Sequence, residues 1–81
     1  MKITGYSDTG LAPEDVQHLD LAEITITAAP DEIRKFSAFL AATADKMEQM
    51  GAAYGHEHLA DRQKGFEQSP HVTVFSSSSD A

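Results

Sequence analysis

The sequence has no cysteine, no tryptophan and no long hydrophobic run, and it has little positive charge. Without cysteine, neither a disulfide nor a cysteine-based zinc site can stabilise the fold. No apolar run approaches the length of a membrane span, and residues 1–4 do not begin a secretion signal. We therefore expect a cytoplasmic protein that does not insert into membranes.

Acidic residues outnumber basic ones by 13 to 6, which gives a net charge of −7. Phosphates would be repelled by this charge, so direct nucleic-acid binding is not expected. A basic protein partner could be steered to the same surface, although acidic side chains also serve solubility alone. The composition therefore favours a protein partner over a nucleic acid.

The chain of 81 residues predicts one domain over residues 1–75, followed by a disordered serine-rich tail over residues 76–81. A domain of this size buries only about 60% of the surface that its unfolded chain exposes. Its core is therefore small, and self-association is one route to further stability.

A strand followed by a long helix is predicted between residues 21 and 50. Residues 22–28 alternate, with Ala22, Ile24 and Ile26 on one side and Glu23, Thr25 and Thr27 on the other. Pro30 suits the first position of a helix, and Gly51 suits its end. Ala29 provides no side-chain cap.

The helix has an apolar stripe at three- and four-residue steps. Its members are Ile33, Phe36, Leu40, Ala44 and Met47, with Phe39, Thr43 and Met50 on one flank. This pattern favours packing against a sheet over a free partner-binding helix.

The remaining elements are short. Residues 2–6 predict a strand with Ile3 towards the core. Residues 13–15 fit either the start of a single helical turn or an ordered loop. Residues 52–66 predict a loop with room for one turn of helix, in which Tyr54, Leu59 and Phe66 are buried. Residues 72–75 predict a third strand with Val72 and Val74 on one face.

The predicted architecture is therefore a small α+β domain of order β-β-α-β, with a three-stranded sheet and one long amphipathic helix on one face. The helix covers only that face. The other face carries Glu23, Thr25, Thr27, Thr73 and Phe75 among its residues. It is either exposed to water or buried in a homodimer, formed through this face or through an unpaired strand edge.

One cluster could bind a metal ion. Two histidines separated by one residue, His56 and His58, point the same way on an extended segment, and Asp61 or Glu57 could supply a third ligand for zinc or nickel. On a helix the two histidines would diverge. In the alternative, one histidine hydrogen-bonds the backbone and the other is solvated.

Signatures of catalysis are missing. The sequence has no glycine-rich phosphate loop and no nucleophile elbow, and its acidic residues are scattered. We therefore do not expect an enzyme.

Four segments of residues 21–75 occur in combination: the strand at residues 21–26, the helix start at residues 29–33, the helix segment at residues 39–48 and the His-Glu-His-Leu-Ala-Asp stretch at residues 56–61. This combination resembles a bacterial family known as immunity protein thirty-two. This chain departs from the family pattern in having Ala29 at the helix cap, and Phe66 with no tryptophan before the last strand.

The resemblance implies a cytoplasmic protein that binds a cognate bacterial toxin and blocks it. Acidic side chains would then lie opposite basic residues of the toxin. Glu57 and Asp61 are the leading contact residues, with Glu23 and Thr25 on the uncovered face as further candidates. A metal-binding protein and a homodimer of structural role are the alternatives.

Overall fold

The computed structural model describes residues 1–10 and 12–77, which form two small sheets and one long helix. In chain order the elements are β1 (Thr4–Gly5), a 3₁₀ turn (Pro13–Asp15), β2 (Leu19–Asp20), α1 (Pro30–Met50), a 3₁₀ turn (Gly51–Ala53), β3 (His56–His58), α2 (Leu59–Arg62) and β4 (Thr73–Phe75). Strand β1 pairs with β2, and β3 pairs with β4, both antiparallel.

The structure is compatible with the predicted α+β class, but a single three-stranded sheet is not confirmed. In the parts of the chain that are described, the four strands form two separate two-stranded sheets. Strand β3 was not predicted, because residues 56–58 lack the apolar alternation that marks a half-buried strand. Four residues of the predicted tail, 78–81, lie outside the described residues.

The strand predicted over residues 22–28 is wrong for the single chain. These residues form neither strand nor helix, and all of them are exposed. No backbone hydrogen bond joins them to another residue of the described ranges. A strand requires backbone hydrogen bonds to a neighbouring strand. The pairing between β1 and β2 ends at Asp20, so it does not extend to residues 22–28.

Helix α1 begins and ends as the sequence predicts. Pro30 is its first residue, and the backbone N–H of Ala29 donates to the Glu32 carboxylate at 2.8 Å, which stabilises the helix start without a capping side chain at Ala29. At the other end, Gly51 has φ 54° and ψ −127°. This conformation is open to glycine and strained for other residues.

The core lies between α1, α2 and the β3–β4 sheet. Phe39, Leu59 and Phe66 are buried together, and Phe36, Val72 and Val74 pack against them. Tyr54 is also buried. The predicted burial of Tyr54, Leu59 and Phe66 and the inward position of Val72 and Val74 are confirmed.

The predicted stripe of α1 is only partly covered. Phe39 and Thr43 are the buried residues of the helix, whereas Ile33 and Leu40 are 45% and 46% exposed. A two-stranded sheet with one short helix is too narrow to cover the full apolar width of α1. The helix consequently turns its Phe39 flank to the core and leaves Ile33 and Leu40 at the surface.

The first 29 residues contribute almost nothing to this core. Of those whose side chains are described, none is buried. Ile3, predicted to face the core, is 41% exposed, because the buried cluster is formed by residues of the chain from Phe36 onwards. Of the two alternatives for residues 13–15, a helical turn and an ordered loop, the structure has the turn, as a 3₁₀ helix.

Candidate functional site

Strands β3 and β4 pair antiparallel, with α2 and residues 63–72 between them, and we refer to this pair of strands as the β3–β4 hairpin. It carries the residues that the sequence singled out after the long helix. Its register places His56 opposite Phe75, Glu57 opposite Val74, and His58 opposite Thr73. Successive side chains of a strand point to opposite faces, so the two histidines share one face and Glu57 lies on the other. The hairpin therefore has an outer histidine face and an inner carboxylate face.

The outer face of the hairpin combines two imidazoles with an exposed aromatic ring. The rings of His56 and His58 meet edge to face with centroids 4.9 Å apart, and His56 lies 5.0 Å from the ring of Phe75. Thr73 Oγ1 and His58 Nδ1 are 3.0 Å apart and hydrogen-bonded. Phe75 is 65% exposed, which makes this face an uncovered surface with an apolar centre.

On the inner face, the carboxylate of Glu57 lies between two cations. Lys46 Nζ donates to Glu57 Oε1 at 2.9 Å, and Arg62 Nε donates to Glu57 Oε2 at 2.7 Å. The Glu57 side chain is only 15% exposed. The hydrogen bonds from Arg62 and then from Lys46 lower the pKa of Glu57 to about 2.

This ion cluster links three elements, because Lys46 belongs to α1, Glu57 to β3 and Arg62 to α2. A depression of about 240 Å³ lies beside it, lined by Ala38, Phe39, Ala42, Thr43, Lys46, Glu57, Arg62 and Gln63. Both carboxylate oxygens already accept hydrogen bonds from cations of the same chain. The predicted partner contact at Glu57 would therefore have to displace an internal ion pair.

Tyr54 connects the loop after α1 to the last strand. Its hydroxyl donates to the carbonyl oxygen of Val74 at 2.7 Å. Burial raises the pKa of Tyr54, and the negative charge of Glu57 raises it further. The phenol thus remains a neutral donor that anchors β4.

The structure brings together two of the three predicted metal ligands. His56 and His58 lie side by side, as an extended segment requires. Asp61 is an exposed residue of α2, and no group of three His, Cys, Asp or Glu side chains within residues 1–10 and 12–77 is arranged to hold a metal ion.

The other predicted contact residues lie in a different part of the chain. Glu23 and Thr25 belong to the exposed segment 22–28. They make no hydrogen bond or ion pair with another described residue. They therefore make no polar contact with the described residues of the β3–β4 hairpin.

Sequence reasoning missed the Lys46–Glu57–Arg62 cluster. Lys46 and Glu57 are separated by 11 residues and a change of element, so no local spacing marks the pair. Glu57 and Arg62 stand five residues apart across the junction between β3 and α2, which matches neither a helix nor a strand period.

Comparison with known proteins finds no matching family model, no similar curated protein and no similar solved structure. Among the helices of the described residues, none has the length and apolar character needed to cross a membrane.

Proposed function

We propose that this chain is a small cytoplasmic protein-binding domain of the immunity-protein type, which binds a bacterial toxin and blocks it. The observation that carries the binding function is the outer face of the β3–β4 hairpin. There Phe75 is largely exposed beside His56 and the hydrogen-bonded pair of His58 and Thr73. An exposed aromatic ring in a polar rim is typical of a protein-contact surface.

The charge distribution supports a basic partner. Four of the six cationic side chains form ion pairs with carboxylates of the same chain: Lys2, Arg34, Lys46 and Arg62. Much of the positive charge is therefore neutralised internally, and the net charge of −7 is carried by the remaining acidic side chains. Such a surface accelerates encounter with a basic protein and disfavours nucleic acid.

Asp61 is the acidic residue best suited to a contact near this face. It is exposed and lies in α2, directly after β3, and it forms no ion pair closer than 4 Å with the described cations. Glu57, by contrast, supports the hairpin from behind through Lys46 and Arg62. We assign Asp61 and Phe75 to the contact surface, and Glu57 to holding that surface in place.

The immunity role itself rests on the resemblance of residues 21–75, and the binding role rests on the exposed surface. The two parts can be tested separately. In a co-expression experiment, the chain is produced together with the toxin-domain protein encoded beside its gene. We expect rescue of growth by the wild-type chain, whereas equal killing with and without it would refute the immunity role.

Point variants test which surface acts. Phe75→Asp places a charge at the centre of the outer face and should abolish rescue. Tyr6→Asp is the matched control, because Tyr6 is 57% exposed but lies in the N-terminal part of the chain. Full rescue by Phe75→Asp would show that the hairpin face is not the contact surface.

Metal binding is the second candidate function, and the adjacent imidazoles of His56 and His58 favour it. Two histidines of one strand can bind one zinc or nickel ion and leave other positions for a carboxylate such as Asp61. Calorimetry with zinc chloride tests this on the purified chain. We expect binding that His58→Ala removes and His18→Ala retains, and absence of heat below about millimolar zinc would exclude the site.

A further inference from the structure

The exposed segment 22–28 has the sequence of a strand and no strand partner within the described residues of its own chain. Its β-branched residues Ile24 and Ile26 are 48% and 53% exposed, and no backbone hydrogen bond fixes it to another described residue. β-branched residues in strict alternation favour extended, paired backbone. The missing element is therefore a neighbouring strand.

The single chain also exposes far more surface than a compact monomer of its mass. A folded protein of 8.8 kDa is expected to expose about 4,800 Å², whereas this chain exposes 6818 Å². Its radius of gyration is 13.9 Å, against about 11.7 Å expected for this length. The excess of about 2,000 Å², to which the exposed residues 1–10 and 12–29 contribute, leaves room for the roughly 800 Å² that each partner buries in a standard interface.

We propose that residues 22–28 pair antiparallel with the same residues of a second copy, around a two-fold axis at Thr25. The backbone N–H and C=O groups of one strand edge then hydrogen-bond with those of the identical edge of the other chain, as an isologous dimer interface requires. The pairing joins seven residues of each chain. It occupies the strand edge and is separate from the outer face of the β3–β4 hairpin.

The side chains suit this register. Centring the pair on Thr25 places Ile24 opposite Ile26 on one face and Glu23 opposite Thr27 on the other. Cross-strand pairs of β-branched residues are stabilising, and like charges directly opposite are not. Glu23 is the only charged residue of the segment, and in this register it never faces its own copy.

The apolar face of the paired strands has a surface to cover it. Ile33 and Leu40 of α1 are exposed next to the core stripe, and α1 directly follows the segment. Dimerisation thereby accounts for two uncovered apolar surfaces of one chain at once. It also provides a layer for the part of α1 that the narrow β3–β4 sheet leaves open.

Sedimentation equilibrium of the full chain at about 0.15 M salt tests the dimer, since exposed charges are screened beyond about 8 Å there. We expect a dimer for the wild type. Ile24→Asp buries an unpaired charge opposite Ile26 and should weaken association at least about tenfold. Gln49→Asp adds the same charge at an exposed position of α1 and should leave association unchanged.

A charge exchange at Thr27 tests the register without disturbing an apolar residue. Thr27→Lys creates two pairs with Glu23 across the axis and should tighten the dimer by about 2- to 30-fold. Thr27→Glu should weaken it by a similar factor. Gln49→Lys and Gln49→Glu are the controls for net charge.

Each outcome decides the proposal. A wild type that stays monomeric at millimolar concentration overturns it, and the strand partner would then be another protein. A dimer that Ile24→Asp leaves intact overturns the role of the segment. Equal affinities for Thr27→Lys and Thr27→Glu overturn the register. All of these measurements use the chain alone, so they stand whether or not a toxin is bound.

Discussion

At the scale of single residues, Glu57 is the best-connected charge of the molecule. Its carboxylate joins α1, β3 and α2 through Lys46 and Arg62. Glu57 was predicted as a contact residue because the resemblance implies acidic contacts and Glu57 lies in the segment after the long helix. The inner face of β3 instead gives it an internal role, which sequence spacing could not reveal because Lys46 is remote in the chain.

The lowered pKa of Glu57 predicts a specific acid sensitivity. Its pKa is about 2 in the folded chain and 4.5 when unperturbed, so the ion cluster stabilises the fold fully above about pH 4.5. That contribution is lost as the pH falls towards 2. Unfolding by denaturant at several pH values should show that Glu57→Gln is less stable than wild type at pH 7 and converges with it near pH 2.

Glu48→Gln is the matched control for this prediction. Glu48 is an exposed residue of α1 that forms no ion pair within the described residues. Its replacement should leave the free energy of unfolding close to that of wild type at pH 7. A constant deficit for Glu57→Gln from pH 7 to pH 2 would show that lost packing, and not charge, explains its effect.

At the scale of elements, the end of α1 depends on one backbone conformation. Gly51 lies at φ 54°, ψ −127°, a region that residues with a Cβ avoid. Gly51→Ala should lower the free energy of unfolding by about 1–3 kcal/mol, measured by denaturant titration. Gly55→Ala is the control, because Gly55 has no such conformation and a Cβ there meets open space. Equal stability of both variants would show that the backbone conformation of Gly51 does not require glycine.

Two neighbouring residues of α1 distinguish its buried flank from its exposed stripe. Phe39→Ala removes a ring that is 2% exposed and should cost about 3–5 kcal/mol of unfolding free energy. Leu40→Ala removes a side chain that is 46% exposed and should cost much less in dilute protein. Thermal unfolding at low protein concentration measures both, and equal costs would mean that Leu40 is buried in the monomer.

The helix and the last strand were predictable from the sequence. Which side of the helix is buried in the core was not. Pro30, Gly51 and the apolar period determine where α1 begins and ends. The period alone centres its stripe between Ile33 and Met47, whereas the core lies along Phe39 and Thr43. Which flank is buried depends on the width of the sheet opposite, and that width is set by residues far away in the chain.

Residues 22–28 show the same limit for strands. Alternation describes which side chains would share a face, and Ile24 and Ile26 satisfy it. Pairing requires a second strand, and local sequence contains no information on whether the same chain supplies one. The candidate site was likewise predictable only in part. The spacing of His56 and His58 predicts that they share one face of an extended segment, but it does not predict that Thr73 and Phe75 of β4 lie next to them.

At the scale of the whole molecule, the proposed pairing of two copies along residues 22–28 would account for part of the surface of 6818 Å² and for the exposure of the described side chains among the first 29 residues. Binding between copies should also raise the thermal midpoint with protein concentration, because assembly stabilises the folded form by mass action. The proposed pairing uses residues 22–28 and none of the residues of the β3–β4 face that we propose for protein binding.

Amide hydrogen exchange of residues 22–28 is the decisive measurement for the proposed pairing of two copies along this segment. These residues have no backbone hydrogen bond to another described residue of their own chain, so their N–H groups exchange freely in a monomer. In the dimer, about half of these N–H groups donate hydrogen bonds to the strand of the other copy. We therefore expect their exchange to be slow in concentrated protein and to become fast on dilution. Exchange at the rate of an unfolded peptide at every concentration, with α1 still protected, would contradict it.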